Sequence, residues 1–135
     1  MTRPLLASVF LGSLLGCNSG GDGSTREVAL VDLACASLDV ATGSWESAKL
    51  PEESTCETAG SCCSWIELRG NTKLRVEHGL GRRPRSFGSF LSFSETGVGS
   101  TPAAGDALRL LSADDTHVVL ENNTDQRFYV RFDLR

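Results

Sequence analysis

The C-terminal stretch of the chain alternates strictly. Phe128, Val130, Phe132 and Leu134 fall on one side, and Arg127, Tyr129, Arg131, Asp133 and Arg135 on the other. On a helix these apolar residues would spread around the axis, whereas on an extended strand they share one face. The pattern predicts a half-buried strand with its charged face in solvent. Period two recurs upstream, where Leu74, Val76, His78 and Leu80 alternate with Lys73, Arg75 and Glu77. Phe87–Phe93, Leu108–Ser112 and His117–Glu121 read as further strands. Turns are expected at Ala113-Asp114-Asp115-Thr116 and Asn122–Gln126, because Asp and Asn side chains bond their own backbone. Val28–Ala36 reads as a first strand and Cys62–Arg69 as another. Ala36–Thr55 is less regular, and Glu95–Asp106, with three glycines and Pro102, reads as a long loop. Many short strands and no convincing helix predict an all-β fold, a small antiparallel β-sandwich or barrel.

The N-terminus is built differently. Arg3 precedes an almost wholly apolar run from Leu5 to Leu15, and small Gly16 stands before Cys17. As a helix the run would rise about 16 Å, roughly half of a hydrocarbon core, which is the layout of a signal segment rather than a span. Leu14-Leu15-Gly16-Cys17 resembles the lipobox of bacterial lipoproteins. The resemblance implies that residues 1–16 are removed and that Cys17 receives a diacylglyceryl thioether and an N-acyl chain. Several acyl chains anchor stably where one does not. Asn18 stands where Asp often marks retention in the inner membrane, so the resemblance implies the outer membrane in a Gram-negative cell. Residues 17–25 would then form a lipidated, Gly/Ser-rich tether, and 26–135 a single domain. Loss of Arg3 takes the formal charge from −4 to −5. That balance disfavours nucleic acid as a partner and binding to anionic lipid by charge alone.

Four cysteines remain in an exported chain, Cys35, Cys56, Cys62 and Cys63, and an even count predicts two disulfides. Of the three pairings, alternation favours Cys35–Cys62 across the core and Cys56–Cys63 closing a short loop. Cys62 would share a face with Ile66 and Leu68, and Cys35 with Ala29, Val31 and Leu33. The spacing suits neither a zinc knuckle nor a Cys-x-x-Cys redox centre. No metal or cofactor is expected.

His78-Gly79-Leu80-Gly81-Arg82-Arg83-Pro84 is the most distinctive stretch of the domain. A strand ends at His78, two glycines permit a tight reversal, and Pro84 stiffens the exit. From Leu74 to Arg135 the order of motif and strands resembles a small β-sandwich module at the ends of phage tail and other virion proteins. That resemblance implies a binding or structural role. His78 lies on the apolar face of its strand, where a hydrogen-bonded structural histidine is expected. Glu52 and Glu53 are adjacent, without the facing geometry of a glycosidase pair. No catalytic residue is assigned.

A non-enzymatic, lipid-anchored envelope protein with a binding or structural β domain is therefore the leading expectation. Arg82, Arg83 and Arg85 form a candidate site for an anionic partner such as lipopolysaccharide phosphate or an acidic polysaccharide, unless Glu77 and Glu95 neutralise them. The alternatives are a glycan-binding module stacking sugars on Trp45, Trp65 or Tyr129, and a small envelope-modifying hydrolase. The anchor is tested by Cys17→Ser. Metabolic labelling with a clickable fatty acid should mark the wild type and not the variant, and equal labelling of both would refute lipidation at Cys17.

Overall fold

A computed structural model describes residues 23–51, 64–103 and 105–135. The expected signal segment, Cys17, most of the expected tether, Glu52 and Glu53, and Cys56, Cys62 and Cys63 lie outside the described residues.

Among the described residues ten strands form two sheets that do not close into a barrel. They are β1 (Thr25–Val28), β2 (Ser37–Asp39), β3 (Ser44–Glu46), β4 (Ile66–Leu68), β5 (Lys73–Glu77), β6 (Phe87–Ser92), β7 (Thr101–Pro102), β8 (Arg109–Ala113), β9 (His117–Glu121) and β10 (Phe128–Leu134). One sheet has the order β1-β5-β9-β8. The other has the order β2-β3-β10-β6-β7, with β4 also paired to β10. The pairings are antiparallel except that β1 runs parallel to β5, with Thr25 opposite Lys73 and Val28 opposite Val76. The chain therefore enters the domain at the Lys73 end of β5.

The core lies between the sheets. Leu74, Val76, Val118 and Leu120 come from one sheet, and Trp45, Ile66, Leu68, Val130, Phe132 and Leu134 from the other. Alternation anticipated these faces on β5, β9 and β10, where every second side chain is buried. The Asp114 turn also forms as expected. Its Oδ1 accepts from the backbone N–H of Thr116 and His117 at 2.8 and 2.7 Å.

Several expectations are corrected. Val28–Ala36 is not a strand, because β1 ends at Val28 and a 3₁₀ turn follows at Leu30–Asp32. Asp32 and Leu33 donate locally to the carbonyls of Ala29 and Leu30, and the Leu30 N–H is taken by Glu77 Oε2 at 2.8 Å. Val31 is consequently 87% exposed, and the alternation used to aim Cys35 does not exist there. Cys35 is half-buried in the following turn. The irregular segment after it contains the β2–β3 hairpin, and the long loop after Glu95 contains β7. Of Cys62–Arg69, strand structure covers Ile66–Leu68 among the described residues.

Two buried polar residues tie separate segments of the sandwich together. Arg131, expected in solvent, is only 5% exposed. Its Nε donates to Ala48 O at 2.9 Å, and its guanidinium lies 3.5 Å from Glu46, 3.6 Å from Asp133 and 5.4 Å above the Phe90 ring. Asn122, expected merely as a turn residue, is fully buried. Its Nδ2 donates to the carbonyls of Gln126, Arg69 and Leu68 at 2.7, 3.1 and 3.3 Å, and its Oδ1 accepts from Thr124 N–H. One amide thereby joins the β4–β5 turn to the β9–β10 turn. Asn122→Ala strands those carbonyls in the interior and should destabilise the domain by about 2–3 kcal/mol. Urea unfolding followed by tryptophan fluorescence measures this, and a loss below about 0.5 kcal/mol would show that the amide is dispensable.

Candidate functional site

The basic turn follows directly from β5. His78 is buried at the end of the strand, with Nδ1 accepting from Leu80 N–H at 3.3 Å and Nε2 lying 3.1 Å from Asp114 O. An N–H aimed at Nδ1 fixes that nitrogen as the acceptor, so Nε2 carries the proton and donates to the carbonyl. Both contacts suit the neutral ring. Burial is also the leading cause that pushes the His78 pKa below its ordinary value. His78 is thus a structural hinge for the turn.

The two glycines serve different purposes. Gly81 adopts φ +71°, which a side chain would resist. Gly79 instead packs on Trp45, where an added Cβ would sit 3.1 Å from the indole Nε1. Beyond them Arg82, Arg83 and Arg85 are all exposed. Arg82 Nη2 donates to Gly43 O at 3.1 Å, which props the turn against the β2–β3 hairpin. The exit is clamped, since Arg85 and Ser86 N–H both donate to Arg135 O. Glu77 and Glu95 do not neutralise the turn. Glu77 accepts from Leu30 N–H, and Glu95 accepts from the Ser64 hydroxyl at 3.2 Å. Among the described residues no carboxylate pairs with Arg82, Arg83 or Arg85. The three cations stand exposed on one short loop, Arg82 with one N–H given to Gly43 O.

The proposed sugar-stacking residues do not form a platform. Trp45 is buried against Phe132, with ring centroids 5.5 Å apart. Trp65 is buried as well, its Nε1 donating to Lys49 O at 3.1 Å. Gly97, at φ +78°, lies so close over the Trp65 ring that an added Cβ would clash at 2.3 Å. Tyr129 remains partly exposed and makes no ring contact with either tryptophan. Large indoles in a small domain are drawn to the core by their apolar area, with the N–H satisfied by a carbonyl.

His117, on the far side of the Asp114 turn, has Nδ1 2.7 Å from Thr116 Oγ1 and 3.2 Å from Arg75 Nη2. This network stays within one hairpin and its neighbouring strand. Among the described residues no group of three or more His, Cys, Asp or Glu side chains could hold a metal ion. A second cationic cluster, around Glu67, has no counterpart in the sequence reading. Its members Arg26, Arg69 and Arg127 come from three separated segments.

No family model, curated protein or solved structure matches the chain. Its described residues form a two-sheet β domain with a constrained arginine turn that none of their carboxylates pairs with.

The His78 environment makes stability depend on pH in a definite direction. The unfolded chain protonates this ring below about 6.5, while the folded domain resists protonation. The His78 contribution is therefore complete above about pH 6.5 and declines as pH falls below that value. Asp114, held down to about 2 by the Thr116 and His117 N–H groups, adds a second loss as pH falls below 3.8. Urea midpoints across this range should fall in two stages, with nitrogen NMR showing the Nε2–H tautomer of His78. A flat profile between pH 7 and 5 would contradict the buried neutral ring.

Proposed function

We propose that this protein is a lipid-anchored envelope lipoprotein whose β domain binds an anionic envelope glycan through Arg82, Arg83 and Arg85. The observation that carries the reading is the constrained arginine turn with no carboxylate partner among the described residues. Guanidinium forks suit the oxygens of phosphate and carboxylate groups, and a loop already held in place loses little entropy on binding. The acidic net charge of the chain makes this local positive field distinctive.

The anchor is supported by Leu14-Leu15-Gly16-Cys17 and by where the domain begins. β1 starts at Thr25, so only a short segment separates Cys17 from folded structure. Seven residues reach at most about 24 Å when fully extended. Because β1 is parallel to β5, the tether enters at the Lys73 end, whereas the arginine turn leaves the His78 end. An anchored domain would thus present the turn away from its own bilayer, towards glycan rather than headgroups. Two disulfides among Cys35, Cys56, Cys62 and Cys63 belong to the same reading, as expected of an exported domain.

Replacing Arg82, Arg83 and Arg85 together by Ser should leave the urea midpoint within about 0.5 kcal/mol of wild type, since exposed turn charges contribute little to folding. Binding to purified lipopolysaccharide or an acidic polysaccharide should weaken at least tenfold and lose its salt dependence. Equal binding by wild type and variant across a salt series would reduce the turn to a solvated loop.

A further inference from the structure

At the end of the sandwich opposite the basic turn, side chains from three separated segments meet. Arg26 on β1, Arg69 just after β4 and Arg127 just before β10 each direct a guanidinium at Glu67 on β4. The distances are 3.6, 3.5 and 3.6 Å. Among the described residues no second carboxylate pairs with any of the three, so one negative charge faces three positive ones. Pairs this long and this exposed are weak and screened. Each fork also carries five N–H donors, most of them unused here.

The cluster borders a cleft of about 320 Å³ between the β1–β5 edge and β4. Arg26, Glu67, Arg69 and Lys73 line it above Leu68 and Leu74, and Arg127 stands outside the lining and meets it at Glu67. Its geometry is held from below, because Asn122 Nδ2 binds the carbonyls of Arg69 and of Gln126, the residue before Arg127. Two of the three arginines therefore keep their spacing through one buried amide.

We propose that the mouth of this cleft, at Glu67, binds a phosphate group, with Arg26 and Arg69 from the lining and Arg127 reaching in beside Glu67 as its ligands, and with Glu67 holding the three cations together when the cleft is empty. A carboxylate offers two oxygens in one plane and matches a single fork, whereas a tetrahedral phosphate presents oxygens in several directions and matches three. Glu67 competes with the ligand, so it weakens binding while keeping the arginines gathered. The site is independent of the lipid anchor and of the basic turn.

The test is an NMR titration of the ¹⁵N-labelled protein as isolated from cells, in non-ionic detergent at constant ionic strength. Arginine Nε–H and backbone amide resonances are followed. Inorganic phosphate and dihexanoyl phosphatidylglycerol are added in separate arms. Saturable shifts centred on Arg26, Arg69 and Arg127 are expected. A response to both probes or to phosphate alone assigns a general or soluble phosphate site, and a response to the lipid alone assigns a headgroup site. Arg69→Gln with Arg127→Gln should weaken binding at least tenfold. Glu67→Gln should tighten it several-fold, which a merely structural ion-pair cluster would not do. No saturable shift with either probe, shifts of equal size at Arg82, Arg83 and Arg85, or a Glu67→Gln variant that binds no more tightly overturns the proposal.

Discussion

Along one edge of β10 the hydrogen-bond ladder has to pass from β3 to β4, and between them lies Phe132, whose side chain is central to the core. Its backbone groups would be left without partners in a dry interior, at a cost comparable to the folding free energy such a domain can spare. Ser47 fills the gap. Its N–H donates to Phe132 O at 2.9 Å, and its hydroxyl accepts from Phe132 N–H at 3.0 Å. On the other edge β10 pairs with β6 from Tyr129 to Leu134. The core side chains of the larger sheet thus take their positions from one fully bonded strand. The Arg131 guanidinium lies beside the same gap and ties β10 to Ala48 and Glu46. A charge this deeply buried persists only with paired carboxylates and a carbonyl around it.

Strands that alternate between clear turn signals were legible in the sequence. β5, β9 and β10 combine a run of apolar residues on one face with Asp, Asn or Gly at the ends, so periodicity and turn chemistry agree. β1 was displaced because Ala29–Leu33 is apolar enough to resemble a strand, while Glu77 captures the Leu30 N–H and local bonds fold it into a turn. β2, β3 and β7 are too short to show a period. Arg131 misled for another reason. Alternation reports which face a residue occupies, not whether chain from elsewhere covers that face.

The same distinction governs the candidate sites. The basic turn was visible because its three arginines are close in sequence, and the structure adds that Glu77 and Glu95 are engaged elsewhere. The role of Gly79 was not visible, since close approach to Trp45 depends on a tertiary contact. Nor was the Glu67 cluster, whose arginines come together only once β1, β4 and β10 are assembled. The faint local signal was Asn122, one of two adjacent asparagines in an expected turn, and its burial is what keeps two of those arginines in register.

Positive charge is therefore gathered at both ends of an acidic domain, with β5 running from one to the other. The Glu67 end is where β1 begins, and the arginine turn is at the far end. In the proposed anchored protein this polarity sets orientation, with the cleft towards headgroups and the turn towards glycan. Paramagnetic broadening of amide signals from a gadolinium-chelating lipid, with the natively anchored protein in nanodiscs, tests this most directly. Strong broadening at Thr25 and Arg69–Thr72 with Gly81–Arg83 spared is the predicted result. Equal broadening at both ends, or broadening greatest at Gly81–Arg83, would contradict it.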